Sequence, residues 1–203
     1  MRRCTPLVAL LGLLSLHAAD AERPRQRRPD DLIRAAVTRT RPGDGFPIRP
    51  ALPTGIRQRV THEILASPRV REAYALLDPH NRRSADWHRG VEKLEEEKAT
   101  WSVVSCLCHP REGVQISALQ SLKRLGDRRA VPFVLLYAEY MAVDEEGSEE
   151  ATVHGLVLES TAGTLSALTG IDVKVKRQDV GALKAGIEKW RRWLVDQHVL
   201  LHW

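Results

Sequence analysis

The sequence predicts an all-α domain of helix pairs lying side by side, and three observations carry that prediction. From Thr54 onward, apolar residues recur at three- and four-residue spacings, the signature of one buried helical face. Pro68, Pro110, Gly126 and Gly170 fall at the ends of those periodic stretches, where they interrupt helices rather than weaken them. A weak internal repeat of about 43 residues relates one helical stretch to another. Length and composition agree. A chain of 203 residues makes one domain or a short array of repeats. Its 43% hydrophobic and 28% charged residues exclude disorder throughout. A formal charge of +5 is too mild to require nucleic acid, and three cysteines are too few for a disulfide scaffold.

The first residues carry an address. Met1-Arg2-Arg3 precedes an apolar run from Leu7 to Leu16, followed by Ala19-Asp20-Ala21. A basic start, a short apolar stretch and small residues two apart read as a secretory signal peptide spanning 1–21, cleaved after Ala21. The run falls short of the roughly 20 residues that span a bilayer. Cys4 precedes it and so cannot be a lipid-bearing residue after the cleavage site. The expected location is therefore secreted, or periplasmic within a cell envelope. Residues 22–53 hold Pro24, Pro29, Pro42, Pro47, Pro50 and Pro53 among many arginines and read as a flexible linker. One short helix fits there, around Asp30 to Thr38, and the Arg23–Arg28 cluster reads as a solvated tail.

The helical domain is expected over 54–203. Ile56, Val60 and Ile64 form one stripe behind Thr54 as a cap, and Pro68 ends that helix and opens the next, through Val70, Ala73 and Leu77. A long helix is expected after Ser84, with Trp87, Val91, Leu94, Trp101, Val104 and Cys108 in one stripe, Glu92, Lys93, Glu95, Glu96 and Glu97 on its solvated side, and Pro110 as its stop. Val114, Ala118, Leu122 and Leu125 mark a shorter helix closed by Gly126 as a left-handed cap. Asp127 is placed to cap a helix with Val131, Val134, Leu135, Ala138 and Met141 inside. The acidic stretch Asp144 to Glu150 reads as a loop entering the next helix, whose inner side is Val153, Leu156, Val157, Leu165 and Leu168. Val180, Leu183, Ile187, Trp190 and Leu194 give the last helix; Ile171 to Val175 is too short to build a sheet.

Leu119, Leu122 and Leu125 precede Ala162, Leu165 and Leu168 by 43 residues, with a glycine after each triplet, and Pro68 precedes Pro110 by 42. Paired helices at 40 to 47 residues are the period of HEAT and armadillo arrays. The stretch His109 to Pro132 resembles a HEAT repeat of the short, lyase-associated type: Val114, Ala118, Leu122 and Leu125, the Leu-Gly-Asp turn at Gly126 and Asp127, then Ala130, Val131 and Pro132. The second copy departs from that pattern, with Leu168-Thr169-Gly170-Ile171-Asp172 at the turn. Trp190-Arg191-Arg192-Trp193 resembles the tails of some bacterial envelope HEAT proteins. The resemblance implies a short α-solenoid that binds another protein, because stacked pairs leave extended surfaces.

No residue pattern points to catalysis. Cys106-Leu107-Cys108-His109 lacks the spacing for haem attachment, and positions two apart on a helix point about 200° from each other, against a shared metal or a disulfide. Two buried apolar cysteines are the better reading. The acidic turn at Asp144 to Glu150 lacks the alternating oxygen spacing of a calcium loop. Trp87 and Trp101, 14 residues apart, are expected on one helical face as core. Trp193 and Trp203, with Lys189, Arg191 and Arg192, are the candidate partner-binding residues of a basic end that also holds Lys174, Lys176, Arg177 and Lys184. The expected function is a non-enzymatic scaffold without cofactor or metal, whose partner is another protein, with weak contact to an acidic envelope surface and no nucleic acid. A HEAT-like lyase or glycosylase, or an envelope-binding protein using the basic tail, is the alternative.

Overall fold

The computed structural model describes residues 52–78, 84–144, 151–176 and 179–197, with the side chains of 84, 143–144 and 151–154 excepted. The expected signal peptide, nearly all of the linker, Cys4, the acidic stretch after Asp144, Arg177 and Trp203 lie outside the described residues. The domain is all-α. Among the described residues its eight helices are α1 (Thr54–Ala66), α2 (Pro68–Leu76), α3 (Ser84–Glu96), α4 (Thr100–Ser105), α5 (Glu112–Leu125), α6 (Val131–Asp144), α7 (Ala151–Thr169) and α8 (Val180–Asp196), with 3-10 turns at Cys106–Cys108 and Arg128–Ala130. No strand occurs among the described residues. The stretch expected to be too short for a sheet has no regular secondary structure, with Val175 buried and Val173 held by Ser166, whose Oγ accepts from the Val173 N–H at 3.2 Å.

The periodic stripes become one core. Ile56, Val60, Ile64, Val70, Ala73 and Leu77 are buried, as are Val114, Ala118 and Leu122 on α5 and Leu183, Ile187 and Trp190 on α8. α2 lies on α3, α3 on α5 and α5 on α7; α1 lies on α4, α6 on α8, and α6 and α7 also pack together. The ends of α5 and α7 follow the repeat seen in the sequence: Gly126 at φ 66° and Gly170 at φ 77° each close a helix in the left-handed region. Asp127 accepts from the Arg129 N–H to open the 3-10 turn, and Pro132 sits in the first turn of α6.

Four expectations need correction. Thr54 does not cap α1; it is the first helical residue, behind Pro53, and no side chain caps that end. Leu156 is 37% exposed while its neighbours Val157 and Leu158 are buried, so the inner side of α7 runs through those two residues instead. Leu125 is only half-buried, at the end of α5 where the chain turns away. The long helix after Ser84 is two helices. Lys98, at φ 53°, is the only non-glycine residue in the left-handed region among those described. The Ala99 N–H bonds to Leu94 O at 3.0 Å and the Lys98 N–H to Glu95 O at 2.9 Å, the paired bonds of a Schellman motif. Buried Ala99 and Leu94 supply its apolar contact. Trp87 and Trp101 therefore stand on different helices and share no face.

Candidate functional site

The break between α3 and α4 gathers a network of polar side chains and helix-end backbone groups, and Glu63 on α1 is its centre. Its Oε2 accepts from the Ser102 N–H at 2.7 Å and the Ser102 Oγ–H at 2.6 Å, and its Oε1 accepts from the Trp101 N–H at 3.2 Å. A carboxylate from another helix thus satisfies the orphan donors that open α4, where no local side chain does. Burial pushes the Glu63 carboxyl above its ordinary value, against the pull of those bonds and of Arg129. Below it, Ser105 Oγ donates to Ser102 O at 2.7 Å and pairs with Tyr74 Oη, and the Cys106 thiol donates to the same carbonyl at 3.4 Å. Burial raises both the Tyr74 hydroxyl and the Cys106 thiol, so both stay protonated in the folded chain.

On the outer side of the break lies an open cleft of about 780 Å³ between the ends of α3 and α5. Acidic Glu92 and Glu96, basic Lys98, Arg124 and Arg129, and apolar Leu125 are among the residues that line it. Most of its charges are already partnered. Arg124 grips Glu95 through Nε at 2.7 Å and an Nη at 2.6 Å, while Ser121 adds a third bond. The Arg124 hydrogen bond holds the Glu95 carboxyl below the ordinary range. Arg129 binds both oxygens of Asp127, Thr100 Oγ1 donates to Asp127 at 2.8 Å, and together they depress that carboxyl. Above the rim, Arg59 stacks on Trp101 with its guanidinium carbon 4.7 Å from the ring centroid, and Arg129 approaches the same ring at 6.0 Å.

The residues expected to bind a partner sit elsewhere, on α8. Lys189 and Arg192 are exposed on one side of the helix. Arg191 is exposed but tied: it donates to Glu139 of α6 at 2.8 Å and to Glu188 at 2.6 Å, and the Glu139 bond raises its pKa further. Trp193 is half-buried and packs against the core, and Trp190 is fully buried. The structure therefore keeps Lys189 and Arg192 together as an outward basic pair and turns Trp193 partly inward. Lys174, Lys176 and Lys184 are also exposed.

Cys106 and Cys108 are free thiols, both buried, on the 3-10 turn that ends the α4 segment. His109 is fully buried and acts as a strut. Its Nδ1 accepts from the Arg111 N–H at 3.0 Å, which leaves Nε2 to carry the proton donated to Leu77 O at 2.9 Å. Its carbonyl accepts from Gln115 Nε2, and Tyr137 Oη donates to Gln115 Oε1, so one buried chain of bonds joins α2, α5 and α6. Among the described residues no group of three or more His, Cys, Asp or Glu is arranged to hold a metal ion, and no helix is long and apolar enough to cross a membrane.

No family model, curated protein or solved structure matches this chain.

The sequence pattern pointed to the last helix and missed the α1–α4 junction. Glu63 lies one residue from buried Ile64, and that flanking position was the available signal. Nothing local marks it as a cap, because its donors come 38 and 39 residues later in the chain.

Proposed function

We propose that the protein is an exported, non-enzymatic interaction module, a short HEAT-like α-solenoid that presents helix-lined surfaces to another protein. The observation that carries this reading is the contact between α5 and α7. These two stretches, 43 residues apart in the sequence repeat, lie against each other, and Thr164 Oγ1 on α7 donates to Leu119 O on α5 at 3.0 Å. Repeats that cover one another in this way hide their apolar faces only by stacking. The polar outer side of α8, with Lys184, Glu188, Lys189 and Arg192, suits a terminal helix that ends such a stack and meets solvent or a partner. Residues 1–21 supply the export signal in this reading.

The test is affinity capture from an envelope extract with the chain from residue 22 to 203, beside the double variant Lys189→Glu/Arg192→Glu. The expected result is one protein retained at fixed stoichiometry by the wild type and lost by the variant. Retention of no protein, with salt-reversible sedimentation on anionic vesicles, would replace the scaffold with the envelope-binding reading.

A further inference from the structure

Arg59 is placed unlike the paired arginines around it. It stacks on Trp101, and no carboxylate among the described residues pairs with it. The nearest acid, Glu63, spends both oxygens on the start of α4. Arg129 uses Nε and one Nη on Asp127, which leaves its other Nη without a described acceptor. Both guanidinium carbons lie within 6.0 Å of one ring centroid, so they stand within about 11 Å of each other. Trp101 is itself only 9% exposed and anchored through its backbone, which makes the ring a fixed platform. Stacking on a fixed ring removes much of the rotamer freedom that an arginine otherwise loses on binding.

We propose that Arg59 and Arg129, held over Trp101, receive the carboxylates of a short acidic segment of a partner protein; this rests on the interaction-module reading. A guanidinium fork matches the planar carboxylate with two parallel hydrogen bonds. Acidic side chains two residues apart on an extended chain lie about 6.6 Å apart, within the span of the two forks. The adjoining cleft gives such a segment room to continue past Arg129. Glu92 and Glu96, which also line the cleft, repel further acid, so the acidic run is short and its continuation is neutral or basic.

The test titrates residues 22–203 with a fluorescein-labelled heptapeptide of alternating Glu and Ser, followed by anisotropy at about 50 mM salt, where exposed ion pairs are weakly screened. Inorganic phosphate serves as the competing anion. Saturable binding is expected, weakened about tenfold or more by Arg59→Gln and less by Arg59→Lys, whose ammonium still pairs but lacks the fork. The Arg59 side chain makes no hydrogen bond or ion pair with a described residue, so thermal unfolding of Arg59→Gln should match the wild type; if it does not, Arg59→Lys carries the test. Absent saturation in the wild type, equal affinity in Arg59→Gln, or tighter binding of phosphate than of peptide would each overturn the proposal. A protein partner captured equally by wild type and Arg59→Gln would remove this site and leave the interaction module standing. Peptide binding that depends on Arg59, with no protein captured, would do the reverse.

Discussion

The junction of α1 with α4 and the cluster of α6, α7 and α8 are held by different forces. At the junction, hydrogen bonds and ion pairs meet at helix ends: Glu63 on the start of α4, Ser67 and Arg69 on Glu97, and Thr100 on Asp127. In the second region the helices meet along their lengths. Val131, Phe133, Val134 and Leu135 on α6 are all buried, as are Val157, Leu158 and Leu165 on α7 and Trp190 on α8. Helix ends carry donors and acceptors that the helix cannot satisfy, so they demand directional partners. Helix middles have none to spare and need only apolar area removed from water. The first region should therefore respond to single atoms, and the second to volume.

The largest effect is expected from volume. Trp190→Ala empties a fully buried site on α8 and should lower unfolding free energy by about 3–5 kcal/mol, read by urea denaturation. A loss below about 1 kcal/mol would mean that α8 contributes little to the core.

Next comes the junction. Glu63→Ala strands the Trp101 and Ser102 N–H groups and should cost about 2–3 kcal/mol. Glu63→Gln keeps one acceptor for Ser102 and should cost about 1 kcal/mol. Equal losses in the two variants would show that packing, and not hydrogen bonding, holds this end.

A reciprocal pair tests the helix ends that stop α3 and α5. Gly126→Ala meets open space but must hold φ near 66°, and should lose about 1 kcal/mol. Lys98→Gly relieves the same strain at φ 53° and should gain about 0.5 kcal/mol after the added freedom of the unfolded chain is counted. Thermal unfolding of both variants checks the opposite signs.

The smallest effect is in pH. Glu63 is raised from its ordinary 4.5, so the folded chain binds its proton more tightly and stability falls as pH rises from there through the folded value. Asp127 and Glu95 are lowered from 3.8 and 4.5, so their contribution is present above those values and is lost as pH falls through the depressed ones. Urea midpoints between pH 3 and 7 should show both limbs, and Glu63→Gln should remove only the decline on the neutral side.

Much of the helical pattern could be read directly because it is local. The stripe of Ile56, Val60 and Ile64, the left-handed Gly126 and the capping Asp127 each depend on residues within a few positions. The stop at Lys98 could not be read that way. Trp87, Val91 and Leu94 continue in phase to Trp101 and Val104, and no glycine or asparagine announces the left-handed turn. The surface around Trp101 was equally hidden, since Arg59, Glu63, Trp101 and Arg129 come from three parts of the chain.

By itself the sequence determined which segments coil and which side of each turns away from water, because 3.6-residue periodicity and the conformational limits of proline and glycine act over one or two turns. Only the tertiary structure decided where α3 breaks, which carboxylate opens α4 and which arginines share one indole. Those choices depend on donors and acceptors finding each other across dozens of residues.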